Sequence, residues 1–295
     1  MSSEREADGE QAGARPSSPE EFLRGLAAEI ATGEVRLPSF PDVATRVQRV
    51  LEDERATPLQ VAKVVGADAA LAARILRLAN SSFLNPSGRP VSDLQQAVHR
   101  LGHQLVRCTA VSFALKEMEL GGSEAELRPL LQELWRKGTL VASIAYVLAR
   151  ETRAANPDEA LVTGLLHNVG QLYLAVRRHA TRARFAAGDG WDSAVEHWHP
   201  RLGSEILARW RFAPAVVAAV AGQHAAQPAD RAGALGDVLI VAISLVPCVF
   251  YRSLLDEAVT GVAPFARLKL DAAACQQLLT ATARQIRALR DALAG

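Results

Sequence analysis

Apolar residues recur three and four positions apart along most of the chain, in short runs cut by glycine, proline and Asn/Ser breaks. A helix gathers such positions onto one stripe, whereas a half-buried strand needs strict alternation, so the pattern predicts many short amphipathic helices on a shared core. Phe22, Leu23, Leu26 and Ile30 make the first stripe, closed by Gly33, and Leu37-Pro38-Ser39-Phe40-Pro41 follows as an extended connector. Val43, Val47, Val50 and Leu51 carry the second helix. Thr57 and Pro58 open a third that Gly66 ends, and Asp68 caps a fourth bearing Leu71, Ile75, Leu78 and Ala79. Ser92 is expected to cap Leu94 to Leu101, Gly102 to break the chain, and Leu105 to Met118 to form the next helix. Aromatics are 5% of the chain, and Ala, Leu, Val and Arg outnumber the strand formers Thr, Ile and Tyr. The fold class is therefore all-α.

Five segments follow. Residues 1–21 hold six acidic residues against two basic ones without apolar periodicity, and read as a disordered acidic tail. Residues 22–120 form a small N-terminal helical lobe, residues 121–126 with Gly121-Gly122-Ser123 a linker, residues 127–255 a larger helical lobe, and residues 256–295 a C-terminal helical extension. In the larger lobe, helices are expected over Leu127 to Glu151, Pro157 to His167 and Val169 to Arg177, with two more around Arg182 and Trp191. Pro200 and Pro214 read as first-turn prolines opening Arg201 to Trp210 and Ala215 to Gly222. Ala232 to Leu255 is apolar nearly all round and should be the central buried helix, and a last helix from Asp271 carries Leu279, Ile286, Leu289 and Leu293.

Several function classes are disfavoured. Cys108, Cys248 and Cys275 lie far apart, which suits small buried side chains better than a disulfide framework or a zinc knuckle. Glu4, Glu6, Asp8 and Glu10 stand where a secretory signal needs a basic patch and an apolar run, so a cytoplasmic location is expected. Val238 to Tyr251 falls short of the roughly 20 residues that cross a bilayer. With Lys+Arg 33 against Asp+Glu 32, net charge +1, nothing global advertises nucleic acid or an anionic membrane.

Gly164-Leu165-Leu166-His167-Asn168-Val169-Gly170 is the most informative segment. A histidine followed by a carboxylate at a helix break can converge on one metal ion whose bound water attacks a phosphodiester, but position 168 carries a neutral amide. His199 precedes a proline and His224 follows Gly222-Gln223 at a helix end, where it can satisfy free carbonyls without a metal.

Three stretches, Leu37 to Pro41, Ala67 to Leu71 with Leu78 to Phe83, and Ala97 to Gly102, resemble the N-terminal lobe of HDOD domains. Gly164 to Gly170 and Gly203 to Pro214 resemble the second lobe, so the likeness runs in order from about Phe22 to Tyr251. The resemblance implies an all-α bacterial protein of signalling and regulation, descended from the HD and HD-GYP metal-dependent phosphohydrolases. It also implies that the ancestral first metal histidine falls at Lys137, that His167 keeps the histidine of the HD pair, and that Asn168 replaces its aspartate. The ancestral last aspartate finds no convincing match, Asp237 standing too early on its helix. His199 and His224 complete the set of vestigial positions. An ammonium where a cation should bind, with the carboxylate gone, leads us to expect no catalytic residue, no metal, no cofactor and no hydrolysis.

Other readings compete. Gln60 to Gly66 followed by Asp68 to Leu78 has helix-turn-helix spacing, but three basic residues against one acidic residue between Thr57 and Asn80 make a weak phosphate-binding stripe, so nucleic acid is disfavoured. An atypical phosphohydrolase would use His167, His199 and His224. On the interaction reading, Asn80, Ser81, Phe83 and Leu84 in one loop and Arg177, Arg178, Arg182 and Arg184 in the densest basic cluster are the candidate partner-binding residues. The partners expected are proteins of a bacterial signalling pathway, with cyclic-dinucleotide signalling components among the candidates. Lys137 is further expected to fill the vacated metal position and hydrogen-bond the Asn168 side-chain oxygen.

Overall fold

The computed structural model describes residues 18–32, 42–51, 53, 55–81, 84–85, 88–120, 127–180, 190–224 and 233–294. Among these there are helices and turns and no strands. Helix α1 (Pro19–Thr32) begins inside the stretch read as tail and ahead of Phe22. The first lobe is α2 (Asp42–Leu51), α3 (Pro58–Val65) and α4 (Ala69–Ala79), all packed on α5 (Leu94–Leu120). Local chemistry sets these boundaries. Thr57 and Gln60 exchange bonds in a capping box, and the Asp68 carboxylate accepts from the Ala70 and Leu71 amides at 2.9 Å. The cap of α5 is Asp93, whose carboxylate accepts from Gln95 and Gln96, and not Ser92 as the sequence suggested. At Gly102, φ is 71°, a left-handed conformation that glycine adopts without strain, so α5 kinks there instead of ending.

The second lobe is built on α6 (Arg128–Thr152), α7 (Pro157–Leu166), α8 (Val169–Ala180), α9 (Trp191–Arg209), α10 (Pro214–Ala221) and α11 (Gly233–Phe250). Asn156 caps α7 by accepting from the Asp158 and Glu159 amides, with Pro157 in the first turn. Helix α11 packs on α6, α7 and α10 with Leu235, Val238, Leu239, Val241, Ala242 and Leu245 buried. It is, among the described residues, the one helix long and apolar enough to cross a membrane, and 56% of it is buried inside this fold.

Three arrangements depart from the sequence reading. Pro200 lies inside α9, which runs unbroken from Trp191, and does not open a new helix. Helix α1 packs on α9 through Phe22 against Trp191 and is tied to α8 by an Arg177–Glu29 ion pair of 3.1 Å, so it belongs with the second lobe. The single terminal helix is two, α14 (Ala272–Ala281) and α15 (Ala283–Ala294), after the short α12 (Leu255–Val259) and α13 (Ala263–Arg267). Helix α15 lies along α6 and also touches α4. There the buried Arg74 of α4 donates to the Leu293 carbonyl and stacks over Trp135 of α6, tying the C-terminal segment to both lobes. The loop and linker positions Phe83, Gly121, Gly122, Ser123, Arg182 and Arg184 lie outside the described residues.

Candidate functional site

The α7–α8 turn sets out the centre of the site. His167 follows the last residue of α7, is buried, and its Nδ1 lies 2.7 Å from the Gly164 carbonyl oxygen. A carbonyl only accepts, so Nδ1 carries the proton and Nε2 keeps its lone pair, and that Nε2 is buried without a hydrogen-bond partner. Burial pushes the imidazole pKa down to about 3, with the Lys137 charge adding to the effect. Asn168 is also buried, and its amide nitrogen donates to the Leu134 carbonyl at 2.6 Å. The expected Lys137–Asn168 hydrogen bond does not form: Lys137 is half-buried on α6, and the Asn168 amide is anchored one turn earlier on that helix.

Glycines bring the next helix onto this turn. A Cβ on Gly170 would lie 2.1 Å from the His199 carbonyl oxygen, so α8 and α9 meet backbone to backbone at that point. The contact places the His199 ring, 1% exposed, beside the turn with both nitrogens unpartnered. Burial holds its pKa down to about 2, and His224, His167 and Lys137 add repulsion.

Pro200 explains the position of His224. A proline inside a helix has no N–H for the carbonyl four residues back, here Glu196. His224 supplies the missing donor, its Nδ1 reaching the Glu196 carbonyl oxygen at 3.2 Å. Its Nε2 lies 3.4 Å from Glu196 Oε1, while Glu196 Oε2 is 3.9 Å from His199 Nε2. The two imidazoles meet edge to face with centroids 4.8 Å apart. Gln223 next door donates to the His167 carbonyl at 2.9 Å and so latches the end of α10 to the α7–α8 turn. Of the residues singled out in the sequence, His167, Lys137, His199 and His224 thus converge, with Asn168 beside them turned toward α6.

Sequence reading missed Glu196, Gln171 and Gln223. A signal was present: Glu196 precedes His199 by three residues and Pro200 by four, putting a carboxylate on the histidine's face and freeing its own carbonyl. Asp237 plays no part. Its buried carboxylate holds Arg267 of α13 through two bonds of 2.6 and 2.7 Å.

The proposed recognition loop is built as a clamp. Asn80 donates to the Val91 carbonyl at 2.6 Å and accepts from the Val91 amide at 2.7 Å, Ser81 Oγ accepts from the Leu84 amide, and Leu84 packs on the core. Asn85 in the same loop is buried and donates to the Arg89 carbonyl at 2.8 Å. Asn80→Ala is expected to cost about 1–3 kcal/mol, because it strands both polar groups of the buried Val91 backbone. Urea unfolding checks this; an unchanged midpoint would mean that the exposed Asn80 side chain is free for recognition. In the basic cluster, Arg177 pairs with Glu29 and Arg178 stacks 4.5 Å over Trp191, so both carry internal contacts. The helix-turn-helix candidate fares poorly too, since α4 exposes Ala69, Ala70, Ala73 and Arg77, with few groups able to read a base.

A protein-family profile described as the HDOD domain matches residues 37–226. No match is found among curated proteins. Among solved structures, this chain is similar to a Shewanella amazonensis SB2B protein provisionally described as a metal-dependent phosphohydrolase. They share 25% identity and a TM-score of 0.74, over 94% of this chain and 100% of that one. An HDOD domain protein with unknown function from Geobacter sulfurreducens shares 25% identity and a TM-score of 0.64, over 92% of this chain and 98% of that one. A Marinobacter aquaeolei VT8 protein provisionally described as a signal transduction protein has the same fold at 20% identity and a TM-score of 0.60, over 94% of this chain and 66% of that one.

Proposed function

This chain belongs to the HDOD domain family, and from that membership we propose a regulatory protein that acts as an interaction module in signal transduction without hydrolysing phosphate esters. Membership supports a regulatory role in general. The finer reading is carried by Asn168, which stands where the HD phosphohydrolases place a metal-bridging aspartate. A neutral amide cannot bridge two cations, and here its nitrogen is committed to the Leu134 carbonyl. The inherited two-metal set does not fit the residues present, because Lys137 and Asn168 hold two of its positions and Asp237 is paired with Arg267. On this reading the partners are proteins of a bacterial signalling pathway in the cytoplasm, cyclic-dinucleotide components among them.

The purified chain, supplied with manganese, is expected to cleave neither a cyclic dinucleotide nor bis(p-nitrophenyl) phosphate faster than the His167→Ala variant. Turnover that disappears on substitution of His167 or Glu196 would overturn the non-hydrolytic reading.

A further inference from the structure

We propose that Glu196, His199 and His224 form a binding site for one divalent cation, zinc by the chemistry of its donors, that ties the end of α10 to α9. The donor atoms of the three residues all lie within 4.8 Å of one another. The separations from His224 Nε2 to Glu196 Oε1, 3.4 Å, and from His199 Nε2 to Glu196 Oε2, 3.9 Å, are near the roughly 3.3 Å edge of a tetrahedron with zinc–ligand bonds of about 2.0–2.1 Å. Closing the widest separation takes about 1.5 Å of side-chain movement, which a Glu196 side chain that is 58% exposed is free to make.

Protonation and surroundings favour a cation. His224 Nδ1 donates its proton to the Glu196 carbonyl, which leaves the Nε2 lone pair directed at the Glu196 carboxylate. His199 sits buried with no partner for either nitrogen, an arrangement that wants a ligand on at least one of them. The carboxylate itself is oriented, because Gln171 Nε2 of α8 donates to Glu196 Oε2 at 3.2 Å. Two imidazole lone pairs and a carboxylate repel an anion, so phosphate does not fit the same space. Two members of this triad, His199 and His224, are vestigial positions of the inherited site, but positions 137 and 168 take no part in it and Glu196 joins them, so the cation site stands independently of whether the protein hydrolyses anything.

The test uses the full chain stripped with a chelator and titrated with cobalt(II), whose visible absorption reports a low-symmetry nitrogen and oxygen environment, followed by displacement with zinc. One cobalt per chain is expected, displaced stoichiometrically by zinc, with affinity falling by more than about 100-fold in Glu196→Gln and in His224→Gln. Both residues are exposed, so these variants should fold even if His199→Ala does not. His197→Ala, on the same helix but outside the triad, should bind like the parent. Absence of the band, or a band that survives both triad substitutions, would overturn the proposal.

Discussion

Gly170→Ala is expected to destabilise the protein by about 3 kcal/mol or more, at the upper end of what overpacking costs. The added methyl would sit 2.1 Å from the His199 carbonyl oxygen and 2.9 Å from both the His199 carbonyl carbon and the Gly203 amide nitrogen. All three are backbone atoms, so no rotamer change can make room and α8 must separate from α9. Gly164 is held in the same way, its Cβ position being 2.6 Å from Ala142 Cα on α6. Gly25→Ala is the internal control: nothing lies within 4 Å of its Cβ position, and alanine favours the helix by about 1 kcal/mol. Urea unfolding of the three variants decides the matter. A Gly170→Ala midpoint equal to that of the parent would mean that the α8–α9 contact is looser than its geometry indicates.

What could be read in the sequence divides along local and non-local lines. Thr57, Asp68 and Pro214 mark their helix starts because a cap or a first-turn proline acts on atoms of its own turn. Pro200 misleads because a first-turn and an interior proline look alike in sequence. The difference lies in what satisfies the carbonyl four residues back, and here that is His224, 28 residues beyond Glu196. Asp93 displaced Ser92 as a cap by one position, a distinction that side-chain geometry decides and spacing does not. The site follows the same rule. His167 and Asn168 stood out from their own segment, whereas Glu196 and Gln223 acquire meaning only when α9 and the end of α10 fold onto the α7–α8 turn. Placing Lys137 against Asn168 failed because position alone could not show that Asn168 faces Leu134. The assignment of α1 to the first lobe failed for a related reason: its apolar stripe fits any groove of the right width, and α9 provides it.

Acidification of the metal-free protein from about pH 7 to about pH 5 is expected to remove about 4 kcal/mol of stability through His167 and His199 together. Burial pushes their folded pKa values down to about 3 and about 2, against an ordinary value of 6.5. Below pH 6.5 the unfolded chain takes up a proton at each position and the folded protein does not, so stability is full above that pH and lost on descent. The loss continues at about 1.4 kcal/mol per pH unit for each histidine until the folded pKa is reached. Glu196 reaches toward His199 and favours its charged form, while Lys137 and His224 oppose it; with folded values so far below 5, this balance leaves the slope unchanged over the window. Other groups titrate in the same range, so the informative quantity is the difference between variants. His167→Gln, measured with chelator present, should show a stability–pH slope shallower than the parent by about 1.4 kcal/mol per unit. Identical slopes for parent and variant would mean that His167 takes up its proton in the folded state, and that its Nε2 is open to water.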